Sequence, residues 1–164
     1  MIKTREKVKI VLHGDRELVM TRSFNAPREM IFDAMTKPEL LRRWMLGPDG
    51  WSMPVCNVDL KVGGSYRWVW KSDKTGAEMG MSGIYREISR PESLVNTERF
   101  DESWYPGEAI SSQILTESSD RTTLTTTMQY ESKAARDGVM ASGMERGIND
   151  SYDRLEDLLL PEKH

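Results

Sequence analysis

Tyr66, Trp68 and Trp70 occupy every second position of residues 65–71, and in a strand that spacing puts all three side chains on one face. Arg67, Val69 and Lys71 take the other face. Three large rings in a row need burial, and each brings an N–H or O–H that wants a partner. Apolar surface with a few polar handles suits the wall of a small-molecule cavity, and it equally suits the filled core of a small sheet. Methionine is abundant, at 11 of 164 residues. Met53, Met79, Met81, Met128, Met140 and Met144 fall at core positions of the expected elements, where thioethers either adapt to varied apolar guests or fill irregular gaps. Buried polar candidates are few: Asp59, Arg67, Thr97, Glu98, Arg99 and Gln113. Facing an apolar cavity, Glu98 would have a raised pKa and could serve as a general acid or base; on a solvated face it is an ordinary surface carboxylate.

The rest of the chain lacks the commoner catalytic equipment. His13 lies near the charged start, His164 is the last residue, and Cys56 is the one cysteine. A zinc site needs three or four ligands at short spacings, and neither HExxH nor CxxC occurs. A nucleophilic triad would have to use His13, because a terminal histidine is rarely held in geometry. Neither a P-loop nor GxGxxG is present, so no metal or cofactor is expected. With 23 basic and 26 acidic residues the net charge is −3, which argues against a general attraction to nucleic acid or anionic membranes. No apolar run approaches the roughly 18 residues of a membrane span, so no insertion is expected. The opening MIKTREKVKIVLHGDRE is charged and lacks the apolar centre of a signal peptide, and one cysteine fits a reducing compartment. A cytoplasmic protein is the expectation.

The elements that must position these residues follow from periodicity. Residues 1–15 form a polar leader or an added edge strand. Residues 17–24 alternate as a strand, and Asn25 and Pro27 then signal a helix start, with Met30, Ile31, Ala34 and Met35 inward. Thr36-Lys37-Pro38-Glu39 has the form of a capping box, predicting a second short helix to about residue 45 with Leu40, Leu41 and Trp44 inward. Six further strands are expected at 53–59, 65–71, 78–88, 93–100, 108–117 and 121–130, separated by turn residues that include Val62-Gly63-Gly64 and Tyr105-Pro106-Gly107. Such short separators favour antiparallel neighbours. Ser132 can cap a closing helical segment with Gly138 as a break. From Met140 the apolar stripe runs through Met144, Ile148, Ser151/Tyr152, Leu155 and Leu158/Leu159 until Pro161. Gly143 and Gly147 lie four apart on that helix, which predicts either a closely packed strand or room for a ligand.

An antiparallel sheet with one wet face must cover the other, and the long C-terminal helix is the element available to do so. A strongly twisted sheet of six to seven strands curls around it. The expected architecture is therefore α+β: one domain over residues 16–160, then a tail at 161–164. Between helix and sheet a gap remains, for side chains or a ligand to fill.

FNAPREMIFDAMTKPELLRRWM, VDLKVGGSYRW, GIYREISRPESLVNTERF and ASGMERGINDSYDRLEDLL, in that order and spacing, resemble the START-like (SRPBCC) superfamily. Within it they are most similar to small prokaryotic homologues of the C-terminal domain of the activator of heat-shock protein 90 ATPase. The resemblance implies a helix-grip fold with an internal hydrophobic cavity. Trp44, Val62-Gly63-Gly64, Gly83-Ile84-Tyr85 and Gly143/Gly147 match its recurring scaffold positions, and no catalytic residue carries over. Three functions compete. The first is non-catalytic binding of a small hydrophobic or amphipathic ligand by Trp44, Trp51, Tyr66, Trp68, Trp70, Met81, Tyr85, Met144, Ile148 and Tyr152, with Arg67 and Glu98 as polar candidates. The second is a chaperone-linked interaction through the outer surface. The third is a cyclase, dehydratase or hydrolase using Tyr66, Arg67, Tyr85 and Glu98. Edge strands and apolar loop residues are compatible with a homodimer.

Overall fold

A computed structural model describes residues 5–102 and 107–160. In chain order its elements are β1 (Lys9–His13), β2 (Glu17–Phe24), α1 (Arg28–Thr36), α2 (Pro38–Trp44), β3 (Trp51–Val58), β4 (Ser65–Ser72), β5 (Glu78–Ser89), β6 (Ser93–Phe100), β7 (Ala109–Ser118), β8 (Arg121–Gln129), α3 (Lys133–Ala141) and α4 (Met144–Leu159). The strands form one antiparallel sheet in the order β1-β2-β8-β7-β6-β5-β4-β3. Strands β3 to β8 meander, as their short turns require. β2 pairs with β8, so α1 and α2 carry the chain from there to the opposite edge at β3. That edge tolerates Pro54, beside a register shift between Ser52 and Val55, because an edge strand can spare an N–H. The charged leader supplies an eighth strand, β1, beyond the six or seven expected.

Alternation decides which side of each strand is covered. On β2, Leu18, Met20, Arg22 and Phe24 are buried, and on β8 Thr122, Leu124, Thr126 and Met128 are. These inner-face residues meet α4, where Ser151, Tyr152, Leu155 and Leu159 are buried. Arg22 has no solvent exposure and pairs with Asp153 at 3.2 Å, while its Nη2 approaches Glu156 at 3.3 Å without hydrogen-bond geometry. Its guanidinium also lies 5.0 Å from the centre of the Phe24 ring. Arg154 donates to the Gly47 carbonyl at 2.6 Å and to Asp49 at 2.8 Å, so the loop after α2 holds the same helix from the other side.

Local details depart from the sequence reading for identifiable reasons. Pro27, not Asn25, occupies the N-cap position of α1, and Asn25 instead accepts a hydrogen bond from Arg121. The buried arc of α1 is Ile31, Phe32, Ala34 and Met35, which turns Met30 out to 45 % exposure. Thr36 does not cap α2: its hydroxyl donates to the Phe32 carbonyl, and Lys37 is the N-cap because Pro38 takes the first helical position. Ser132 does cap α3, accepting from the Ala135 N–H at 3.0 Å. The break before α4 falls at Gly143, whose φ of +80° is left-handed, and not at Gly138, which stays helical. Gly143 is therefore outside the helix interior. Gly147 faces Pro48 of the loop rather than a strand, and a methyl there would sit at an ordinary 3.4 Å, so packing does not demand the glycine. The turn expected at 105–107 lies largely outside the described residues, as do Pro161, His164 and the tail.

Gly83 is different. A Cβ at this position would lie 1.9 Å from the Thr97 carbonyl oxygen and 2.6 Å from the Tyr66 ring. Gly83→Ala is expected to destabilise the protein by about 1–3 kcal/mol, as overpacking does. Urea denaturation reads this directly, and an unchanged midpoint would contradict the packing of Tyr66 on this strand.

Candidate functional site

Tyr66 pairs with Gly83 across β4–β5, and the absent side chain lets its ring cross that strand. The hydroxyl reaches β6, where it donates to the Thr97 carbonyl at 2.5 Å and accepts from the Asn96 amide at 3.1 Å. Trp68 packs on one side of Tyr66 with ring centres 4.8 Å apart, and Tyr85 on the other at 5.4 Å. Trp70 meets Trp68 edge-on at 6.0 Å, and its indole N–H donates to the Met45 carbonyl at the end of α2. A continuous row, Tyr85–Tyr66–Trp68–Trp70, thus lines the inner face, with Met81 paired to Trp68. Offset and edge contacts of this kind add stability beyond the area they bury.

The other predicted residues divide. Trp44 and Tyr152 stack on each other at 6.2 Å, Tyr152 meets Phe24 edge-on at 5.7 Å, and the Trp44 N–H donates to the Ala34 carbonyl. This column ties α2 through α4 to β2. Met144 and Ile148 lie on the first half of α4, partly buried against the core, whereas the second half is sealed. Trp51 stands at the start of edge strand β3, partly buried and apart from the row. Arg67 is on the outer face, in a two-pronged ion pair with Asp101 at 3.0 and 2.6 Å.

The centre of the inner face is polar, and Asn96 and Ser111 belong to it beside the expected Glu98 and Gln113. Leu94, Asn96 and Glu98 of β6 stand opposite Gln113, Ser111 and Ala109 of β7. Ser111 Oγ, Gln113 Oε1 and the Trp68 indole N–H are buried without a hydrogen-bond partner among the described residues. The small polar residues alternating on β7 were the available signal, but alternation alone does not say which face is wet. Tyr85 is buried too, and its hydroxyl has no partner among the described residues; burial, and to a smaller extent the neighbouring Cys56 thiol, push its pKa up. Burial also raises the Cys56 thiol, partly opposed by Arg42. Tyr152 is raised by burial, against a hydrogen bond from Thr126.

Two clefts open on the surface, one of them beside the aromatic row. One of about 470 Å³ lies between Pro38 at the start of α2 and the ends of β3 and β4, where Cys56, Val58 and Tyr66 line it. The other, of about 260 Å³, lies between Arg43 and the last turns of α4. Among the described residues no cluster of three or more His, Cys, Asp or Glu could hold a metal, and no helix is long and apolar enough to cross a membrane.

Glu98 is partly buried, has no ion pair or hydrogen bond among the described residues, and is pushed up by desolvation to about 7 from the usual 4.5. The folded state therefore holds this proton more tightly than the unfolded one, so its contribution falls as pH rises from about 4.5 through 7. The full difference is about 3 kcal/mol. Glu98→Gln should be relatively more stable than the parent at pH 8 than at pH 5 by an amount of that order, measured by denaturation at both pH values. A difference independent of pH would place the carboxyl in water.

Residues 25–160 match the family model described as Activator of Hsp90 ATPase homolog 1-like protein. No curated protein matches the chain. A crystal structure of a Rhodobacter sphaeroides protein is 29 % identical, with TM-score 0.88 over 94 % of this chain and 98 % of that one. A Mycobacterium smegmatis protein, Ms6760, shares the fold at 23 % identity and TM-score 0.80, covering 96 % and 99 %. An HSP90 activator from Plasmodium falciparum does so at 21 % identity and TM-score 0.64, covering 90 % and 99 %. A family match over so much of the chain, on an eight-stranded sheet gripping a long C-terminal helix, means that this chain belongs to the Activator of Hsp90 ATPase homolog 1-like family of the SRPBCC helix-grip proteins.

Proposed function

We propose that this chain is a non-catalytic binding protein for a small amphipathic molecule that lies between the aromatic row and the first half of α4. One observation carries the reading: Trp68 Nε1, Ser111 Oγ and Gln113 Oε1 are buried on the inner face with no partner among the described residues. An unsatisfied buried polar atom costs about 1–3 kcal/mol, and a ligand that bonds to it recovers that cost. The rings of Tyr66, Trp68 and Tyr85 supply the apolar surface, and the half-buried Met144 and Ile148 supply an adaptable cover. The cleft beside Tyr66 is the proposed way in. A cytoplasmic setting fits the single free cysteine, which is buried.

The family description and the Plasmodium falciparum relative favour a second reading, a chaperone-linked interaction through the outer surface. It predicts direct binding to a heat-shock protein 90 and stimulation of its ATPase, neither of which needs the inner face.

Native mass spectrometry of freshly purified protein is expected to detect a bound small molecule. Titration with fatty acids, sterols and aromatic polyketides is expected to quench tryptophan emission. A ligand at 100 times its Kd stabilises by about 2.7 kcal/mol, which raises Tm by roughly 5–10 °C. Trp68→Leu should weaken binding about tenfold while the fold persists. Unchanged emission and Tm across the panel, with no co-purified molecule, would sink the binding reading.

A further inference from the structure

The ligand-binding reading says nothing about the charge of the ligand, but the inner face carries information on that point. Glu98 stands on β6 directly opposite Ala109, and Ser111 follows two residues on, so Glu98 and Ser111 are diagonal neighbours on one face. Gln113 continues the same line. The atoms left unpaired along it are acceptors: the Glu98 carboxylate, Gln113 Oε1 and the Ser111 oxygen, which can also donate. Ser111 itself has no solvent exposure. The charge of the buried cation of this face, Arg22, is balanced by Asp153 and Glu156, and it lies over Phe24, although its Nε and Nη2 make no hydrogen bond among the described residues. Tyr152 feels the charge of Glu98 from α4, but its hydroxyl is engaged by Thr126. A cation to balance Glu98 therefore has to come from outside the described residues, and aromatic faces next to an acceptor cluster are a favourable seat for one.

We infer that Glu98, with Ser111 and Gln113, forms the polar anchor of the binding face and selects ligands with an apolar body and a protonated amine. The inference rests on the proposed binding reading and deepens it. Desolvation that holds Glu98 near neutrality accords with it, since an arriving ammonium group would restore the ionised form.

Dodecylamine, dodecanol and dodecanoate, each below its micelle concentration, provide the test, titrated into the full chain at pH 8 by calorimetry and tryptophan fluorescence. The amine is expected to bind about tenfold or more tightly than either of the others, as a charge-assisted hydrogen bond allows. In Glu98→Gln that preference should fall to about twofold or less. The wild-type series decides the matter even if the variant fails to fold. Equal or tighter binding of dodecanol or dodecanoate overturns the inference and leaves the binding reading standing, as does a preference that survives Glu98→Gln. Binding of none of the three removes both.

Discussion

The buried guanidinium of Arg22 is the contact on which the helix-grip arrangement depends. It stands among apolar side chains on β2, where an unpaired charge would be intolerable, and Asp153 and Glu156 of α4 supply the countercharge. Breaking such a pair by removing one partner typically costs about 3–5 kcal/mol, because the remaining charge is stranded. The pairing therefore fixes the rotation of α4 about its axis and its height along the sheet. Leu155, Leu159 and Tyr152 follow into the core.

The two halves of α4 differ as a result. Its second half is held by Arg22, by Arg154 through the loop after α2, and by Arg5, whose guanidinium reaches Glu156 and Asp157. Its first half begins at a left-handed glycine and rests on Met144 and Ile148, neither fully buried. A helix clamped at one end and softly packed at the other covers the middle of the sheet less tightly, and Ser111, Gln113 and Trp68 keep unpaired atoms there. The aromatic row flanks that place because Tyr66 can lie across Gly83 and bond to β6, which binds β4, β5 and β6 into one stiff wall.

Much of this was legible in the residues. The period-two run of Tyr66, Trp68 and Trp70 and the alternation of β2 and β8 specified strands and faces without reference to anything distant. Ser132 announced its cap. Where local signals competed, a tertiary contact or a proline decided between them. Asn25 looked like a cap but serves Arg121, and Thr36 looked like the start of a capping box but Pro38 sets the helix start one residue later. Gly138 looked like the break and Gly143 like part of the helix, but the positive φ falls at Gly143.

The order and kind of the elements, the one-sided burial of each strand and the apolar stripe of α4 follow from the residues alone, because each depends on neighbours within a few positions. Tertiary structure alone decided which polar groups find partners. Ser111 meets Asn96 only through the β6–β7 register, Tyr66 finds Thr97 31 residues away, and Arg22 finds Asp153 131 residues away. A hydrogen bond or an ion pair is a statement about two positions in space, and chain spacing carries that information only for residues close in sequence. For the same reason, the unpaired atoms of the inner face could not be seen before the sheet was closed.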